Sequence, residues 1–235
     1  MASNYYKFAV HPVTMEILNE HINNILKQLP PDVVMVAVTK TRPVDVLKQA
    51  YDLGLRDFGE NRVQEMLEKQ PILPADIRWH LIGHLQTNKV KFIAPFVHLI
   101  HSVDSLKLLE EINRQAARQN RTIDCLLQIY IATEESKFGL DQSEAEALLE
   151  SEVYKTMTNI RICGLMGMAT FTDDVSLVRR EFAGLKSMFE TIKQKYFRQS
   201  EYFNIISMGM SGDYLTAIEE GSTMVRIGTA LFGER

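Results

Sequence analysis

The residues best suited to chemistry follow short apolar runs, at the points where strands of a parallel sheet would end. Lys40 follows the apolar run 33–38, while Ser207, Gly228 and Thr229 follow two apolar runs near the C-terminus. Small residues at the start of a helix leave backbone N–H groups and partial positive charge exposed to an anion. The hydroxyl groups of Ser207 and Thr229 add further donors. These positions predict a phosphate-sized anion site on the same face as a lysine.

Lys40 and Arg226 each have two interpretations. A lysine that leaves an apolar strand inside a cavity loses hydration, which lowers its pKa and lets the amine attack a carbonyl. A solvated loop lysine is the simpler alternative, and only the anion site on the same face favours the nucleophile. Arg226 either projects into the mouth of the site beside the anion or pairs with a carboxylate inside the barrel.

Other polar residues at strand ends are ambiguous in the same way. Asn61 and His84 either contact a ligand or fix loops by hydrogen bonds, whereas His80 lies mid-strand and is expected to pack in the interior. Lys137 is expected to be a surface-loop lysine more than a ligand contact. Met208 and its neighbouring methionines are expected in the core or the pocket lining. The set holds no close carboxylate pair of the glycosidase kind and no metal-binding cluster.

Strands and helices alternate along the whole chain and predict a parallel sheet. The predicted strands cover residues 33–38, 56–59, 77–83, 97–102, 123–131, 160–166, 204–206 and 224–227. Eight such units favour a closed (β/α)₈ barrel, with an open doubly wound sheet as the alternative. Residues 1–235 are expected to form one domain, in which residues 1–30 carry an N-terminal helix that packs on the barrel.

Composition excludes several classes of protein. The 235 residues are 46% hydrophobic and 24% charged, with a net charge of −4, so no basic surface suggests nucleic acid. No apolar run is long enough to span a membrane, and the first residues do not resemble a signal peptide. Cys125 and Cys163 lie in apolar runs and are expected to be buried, reduced thiols. A cytoplasmic protein is expected.

Six segments resemble the pyridoxal phosphate homeostasis protein family. They are VAVTK (36–40), GEN (59–61), WHLIGHLQTNK (79–89), GLM (164–166), SMGMS (207–211) and VRIGTALFG (225–233). They occur in order from the first predicted strand to the last residues, and the third and last segments are specific as a pair. The resemblance implies a barrel like the N-terminal barrel of alanine racemase, without the C-terminal β domain of fold type III enzymes, and pyridoxal 5′-phosphate (PLP) as cofactor.

The resemblance also implies roles for individual residues. Lys40 matches the lysine that holds PLP as a reversible Schiff base, the internal aldimine, and Arg226 matches the arginine that faces the pyridine nitrogen. Ser207, Gly228 and Thr229 match phosphate-binding positions, and Asn61 falls in the motif that lines the other side of the cofactor. The predicted cofactor-binding set is Lys40, Asn61, His84, Ser207, Met208, Arg226, Gly228 and Thr229.

Two functions follow from this resemblance. The first is a PLP carrier in vitamin B6 homeostasis and amino and keto acid balance, with amino acids and apo-PLP enzymes as partners. The second is an amino acid racemase that uses Lys40 as its base and Tyr130 or His84 as a second proton donor. The chain ends at Arg235, directly after the last predicted helix, so a catalytic second domain is not expected. This favours a carrier, and a monomer, over the enzyme; a regulatory partner that reads PLP status is a weaker third possibility.

Overall fold

The computed structural model describes residues 14–132 and 138–234, in which eight parallel strands close into a barrel in sequential order. The strands are β1 (Val34–Val38), β2 (Asp57–Glu60), β3 (Arg78–Leu81), β4 (Leu99–Val103), β5 (Ile123–Tyr130), β6 (Ile160–Met168), β7 (Ile205–Met210) and β8 (Met224–Ile227). Strand β1 pairs with both β2 and β8, so the sheet has no edge. The prediction of a (β/α)₈ barrel is confirmed, and the open sheet is excluded.

Helices follow the strands and cover the outside of the barrel. They are α1 (Met15–Leu26), α2 (Val44–Asp52), α3 (Val63–Lys69), α4 (Val90–Ile93), α5 (Leu106–Arg118), α6 (Gln142–Glu150), α7 (Glu152–Lys155), α8 (Val175–Tyr196), α9 (Tyr214–Glu219) and α10 (Thr229–Phe232). Thr14 accepts a hydrogen bond from the N–H of Ile17 and so caps α1. None of the helices in residues 14–132 and 138–234 is long and apolar enough to cross a membrane.

Helix α1 packs against helices α2 and α10. The Nδ1 atom of His21 lies 2.9 Å from the carbonyl oxygen of Leu231, which ties α1 to α10. The helix predicted within residues 1–30 is therefore present from Met15. Residues 1–13 of that predicted unit, and the surface lysine Lys137, lie outside the described residues.

The apolar core has two parts. A large outer layer lies between the strands and the surrounding helices, and includes the fully buried rings of Phe58 and Phe182. A smaller cluster fills the barrel interior from several strands: Val36, Leu99, Leu126, Cys163, Met166 and Met224. Side chains alternate between the two layers along each strand. Because Met224 fills the interior, Arg226 two residues later also faces inward, nearer the carboxyl ends of the strands.

Candidate functional site

A cavity of about 420 Å³ opens at the carboxyl ends of the strands. This volume lies within the range of roughly 300–1,000 Å³ that is usual for small-molecule sites. Five of the predicted site residues line the cavity: Lys40, Asn61, Arg226, Gly228 and Thr229. These residues come from the ends of β1, β2 and β8, so the barrel brings together positions that are almost 190 residues apart along the chain.

A buried ion pair fixes the residue before Lys40. The ammonium group of Lys69 donates to the carbonyl oxygen of Thr39 at 2.9 Å and to Glu60 Oε1 at 2.7 Å. The hydroxyl group of Thr39 also donates to Glu60 Oε1, at 2.6 Å. Thr39 and Glu60 are fully buried, and burial raises the pKa of Glu60 although both partners donate to it. These bonds hold the last backbone group before Lys40 in one place.

The residue after Lys40 is fixed as well. The backbone N–H of Thr41 donates to Glu65 Oε2 at 2.6 Å, and the same oxygen lies 3.3 Å from Lys69 Nζ. Thr41 has a φ angle of 62°, which a residue with a side chain rarely adopts. The contact with Glu65 offsets that backbone strain. Lys40 thus stands in a turn that is anchored on both sides, and its half-buried side chain lines the cavity.

Arg226 is only 3% exposed and faces the cavity from the barrel interior. Its Nη1 atom donates to the carbonyl oxygen and hydroxyl group of Ser207, at 2.8 and 2.7 Å, and Nη2 donates to the carbonyl oxygen of Gly167 at 3.0 Å. No carboxylate of the described residues forms an ion pair with it, so the described part of the chain does not contain the predicted alternative of a barrel ion pair. Burial lowers the pKa of Arg226 to about 10, and the group remains a cation at neutral pH.

The loops after β7 and β8 form a ring of backbone donors. The hydroxyl oxygen of Ser211 accepts hydrogen bonds from the N–H groups of Gly228 and Ala230, at 3.1 and 3.2 Å, and so joins the two loops. Within the described parts of the chain, the N–H groups of Ser211, Gly212 and Thr229 enter no hydrogen bond. All three of these residues line the cavity. Unused donors at the edge of a cavity suit an anion.

Ser207, which the sequence predicted at the anion site, does not lie among these donors. Its side chain is fully buried in the interior, where it contacts His101 Nδ1 at 3.0 Å and the guanidinium of Arg226. Strand β7 extends to Met210, three residues beyond Ser207. Ser211, within the same sequence motif, is the residue that reaches the loop after β8. Ser211 is the first residue after the end of β7, so a correct prediction of that strand end would have identified it.

Met208 and His84 also lie away from the cavity. Met208 is fully buried in the apolar layer between barrel and helices, because it follows the inward-facing Ser207 and so points the opposite way. His84 is exposed, with Nδ1 3.5 Å from Asp104 Oδ2, and lies in a separate surface depression. His80 is buried in the interior, as predicted.

Asn61 reaches the cavity because Gly83 permits a close backbone approach. A Cβ atom on Gly83 would lie 2.4 Å from the carbonyl oxygen of Asn61, much closer than packed atoms allow. The loops after β2 and β3 can therefore touch only with glycine at this position. Asp213 and Met210 complete the opposite wall and were not among the predicted residues.

Comparison with known proteins identifies the family. The sequence profile described as alanine racemase, N-terminal domain, matches residues 13–235. The chain belongs to this family. It is 39% identical to the pyridoxal phosphate homeostasis protein of Aquifex aeolicus, over 86% of each chain. It is also 39% identical to the protein of that name from Synechocystis, over 91% of this chain and 96% of the relative.

Solved structures agree with this assignment. PipY of Synechococcus elongatus, with PLP bound, is 34% identical and superposes with a TM-score of 0.83, covering 92% of this chain and 100% of PipY. Alanine racemase of Clostridium difficile is 16% identical, with a TM-score of 0.72 over 97% of this chain and 59% of that chain. The second likeness shows a shared fold alone.

Proposed function

We propose that this chain binds PLP in the cavity and serves in PLP homeostasis. The observation that carries the proposal is the convergence of Lys40, the buried cation Arg226 and a ring of unused N–H groups on one cavity. Family membership and the names of the relatives support it, as does the PLP bound to PipY.

The residues present fit the chemistry of PLP. The unused N–H groups of Ser211, Gly212 and Thr229 would hold the phosphate, and Arg226 would face the ring nitrogen. Lys40 would supply the amine, and Asn61 would lie against the ring. When bound, PLP supplies an aldehyde that condenses with amines and a ring that withdraws electrons.

Lys40 is the proposed site of a Schiff base. Its neutral Nζ would supply the amine for reversible condensation with the aldehyde of PLP, in which the two amine protons and the aldehyde oxygen would leave as water. The anchored turn of residues 39–41 keeps this amine at one position of the cavity wall. Because water reverses the reaction, the chain can release PLP as well as hold it.

Arg226 favours holding PLP over catalysis on it. A guanidinium that stays charged beside the ring nitrogen disfavours protonation of that nitrogen, so the ring withdraws electrons less strongly. Chemistry that needs a carbanion is then only weakly assisted. We therefore propose a carrier of PLP, with amino acids and apo-PLP enzymes as partners.

We further propose that residues 1–235 act as one PLP-binding unit, as a monomer in the cytoplasm. The contact between α1 and α10 supports a single unit, since it joins the first described helix to the last. Size-exclusion chromatography with light scattering tests the monomer, and a dimer mass would contradict it.

Borohydride trapping tests the Schiff base. Purified protein mixed with PLP should gain a visible absorption band, and borohydride should fix the cofactor covalently on the peptide that contains Lys40. Lys40→Ala should lose both signals. Lys48→Ala is the matched control, because Lys48 is an exposed lysine on the adjacent helix α2. Absence of the trapped adduct in the wild-type protein would disprove the proposal for Lys40.

Activity assays separate the carrier from the enzyme. The wild-type protein loaded with PLP should transfer it to an apo-PLP enzyme and restore that enzyme's activity. It should not convert L-alanine to D-alanine at a rate that scales with protein concentration. Such steady conversion would favour the racemase and contradict a function limited to PLP carriage.

A further inference from the structure

A row of buried polar side chains crosses the barrel interior from the cavity to the opposite end. Ser207 Oγ accepts from Arg226 at 2.7 Å and lies 3.0 Å from His101 Nδ1. His101 Nε2 lies 3.0 Å from His80 Nδ1, and His80 Nε2 lies 3.0 Å from Asp57 Oδ1. Ser207 and His101 are fully buried and His80 is 1% exposed. We call these five residues the interior chain.

The donors and acceptors of the interior chain fit only one direction. Asp57 is an ion-pair partner of Arg78 and is a carboxylate, so His80 Nε2 must donate to it. Burial holds the pKa of His101 well below its usual range, which leaves this ring neutral with a single N–H. Ser207 accepts from Arg226, and its own hydroxyl proton needs an acceptor.

Only His101 can accept that proton within the described parts of the chain. If His101 Nδ1 carried the proton instead, Ser207 Oγ would receive two donors and its hydroxyl would have no acceptor. With Nδ1 free, His101 donates through Nε2 to His80 Nδ1, and the Ser207 hydroxyl, His101 Nε2–H and His80 Nε2–H each find an acceptor. All hydrogen bonds then point from Arg226 towards Asp57.

We propose that Ser207, His101 and His80 are positioning residues for Arg226, which hold its guanidinium towards the cavity through a one-way chain of hydrogen bonds anchored at Asp57. The chain replaces a direct carboxylate partner for the buried cation. A direct carboxylate would compete with a ligand for the guanidinium, whereas polarised neutral groups leave its outer face available. The consequence for PLP binding rests on the proposed function, but the direction of the hydrogen bonds in the interior chain does not.

Histidine tautomers test the direction without any cofactor. The protein has six histidines, so ¹⁵N spectra of the side chains can be assigned with single-residue variants. His101 and His80 should both carry the proton on Nε2 at neutral pH, in the protein without PLP. A proton on Nδ1 of His101 would overturn the proposed direction of the hydrogen bonds, whether or not the protein binds PLP.

Cofactor release tests the positioning role. Ser207→Ala removes the hydroxyl group and should release PLP roughly tenfold faster, equivalent to about 1.4 kcal/mol, with a shifted absorption maximum because the charge beside the ring is less well held. His101→Leu should act in the same direction. His101→Gln keeps one donor and one acceptor, so it should release PLP more slowly than His101→Leu.

His98→Gln is the matched control. The ring of His98 packs against His80, with centroids 5.4 Å apart, but makes none of the hydrogen bonds of the interior chain. It should leave the release rate and the spectrum unchanged. A cooperative thermal unfolding transition establishes that each variant is folded. If His101→Leu is not folded, the positioning role is judged from Ser207→Ala, which is the smallest change. If Ser207→Ala releases PLP at the wild-type rate and has the wild-type absorption maximum, the positioning role is overturned. If the wild-type protein does not bind PLP, the proposed function is overturned instead.

Discussion

Lys69→Met should destabilise the barrel strongly, because it leaves a buried carboxylate without its cation. Lys69 is 6% exposed, Glu60 is fully buried, and their charged atoms lie 2.7 Å apart. Removing one partner of a buried ion pair costs about 3–5 kcal/mol. For a domain of this size each kcal/mol lowers Tm by about 2–4 °C, so we expect a decrease of roughly 6–20 °C. Methionine keeps most of the side-chain volume, so loss of charge dominates.

Circular dichroism during thermal unfolding measures this effect. The double variant Glu60→Gln with Lys69→Met should be less destabilised than Lys69→Met alone, because the fully buried charge of Glu60 is then removed and only the partly exposed Glu65 loses its lysine partner. Lys155→Met removes a surface partner of Glu152 and should leave Tm almost unchanged. A decrease below about 2 °C for Lys69→Met, less than 1 kcal/mol, would refute the assignment of this pair as an anchor of the Lys40 turn.

Three further variants test the site and its support. Burial alone would raise the pKa of Asp57, but hydrogen bonds from Arg78 and His80 outweigh burial and lower that pKa. The wild-type protein should therefore be more stable than Asp57→Asn above about pH 4, and this advantage should decline as the pH falls below about 4. Tm measured against pH for both proteins tests this. Gly83→Ala should lower Tm and weaken PLP binding because its Cβ meets the backbone of Asn61, whereas the helical control Gly184→Ala, with open space around it, should raise Tm slightly. Ser211→Ala should raise the Kd for PLP several-fold in a fluorescence titration, since the loops after β7 and β8 lose their shared acceptor.

The fold could be predicted because each strand is marked by local sequence. The apolar run 33–38 corresponds to β1 (Val34–Val38), and the run 224–227 corresponds to β8. Strand ends then locate the active face of a barrel, which is how the sequence placed Lys40 and Arg226 at one cavity. These inferences need only periodicity and the order of elements.

The facing of side chains near the end of β7 could not be predicted in the same way. Between Ser207 and Met210, β7 holds one residue more than the paired segment of β8, a bulge at which Gly209 has a φ angle of 93°. A bulge shifts every later side chain relative to simple alternation. Without knowledge of the bulge, the predicted strand ends at residue 206, and Ser207 is taken as the first loop residue. The register of the neighbouring strand, which is not a local property of sequence, decides which serine reaches the ring of donors.

The hydrogen-bond networks that support Lys40 and Arg226 could not be predicted from the sequence for a related reason. Lys40 is held through Lys69, and Arg226 is held through Ser207 and His101, which lies more than 100 residues away from both. In each case the supporting polar groups are buried and form hydrogen bonds with other protein groups, and they do not line the cavity. Such groups are costly unless every donor finds an acceptor, so each network can exist only once the barrel has closed. Closure therefore both completes the fold and sets the orientation of the site's cations, which is why variants inside the barrel should change cofactor binding without touching the cavity.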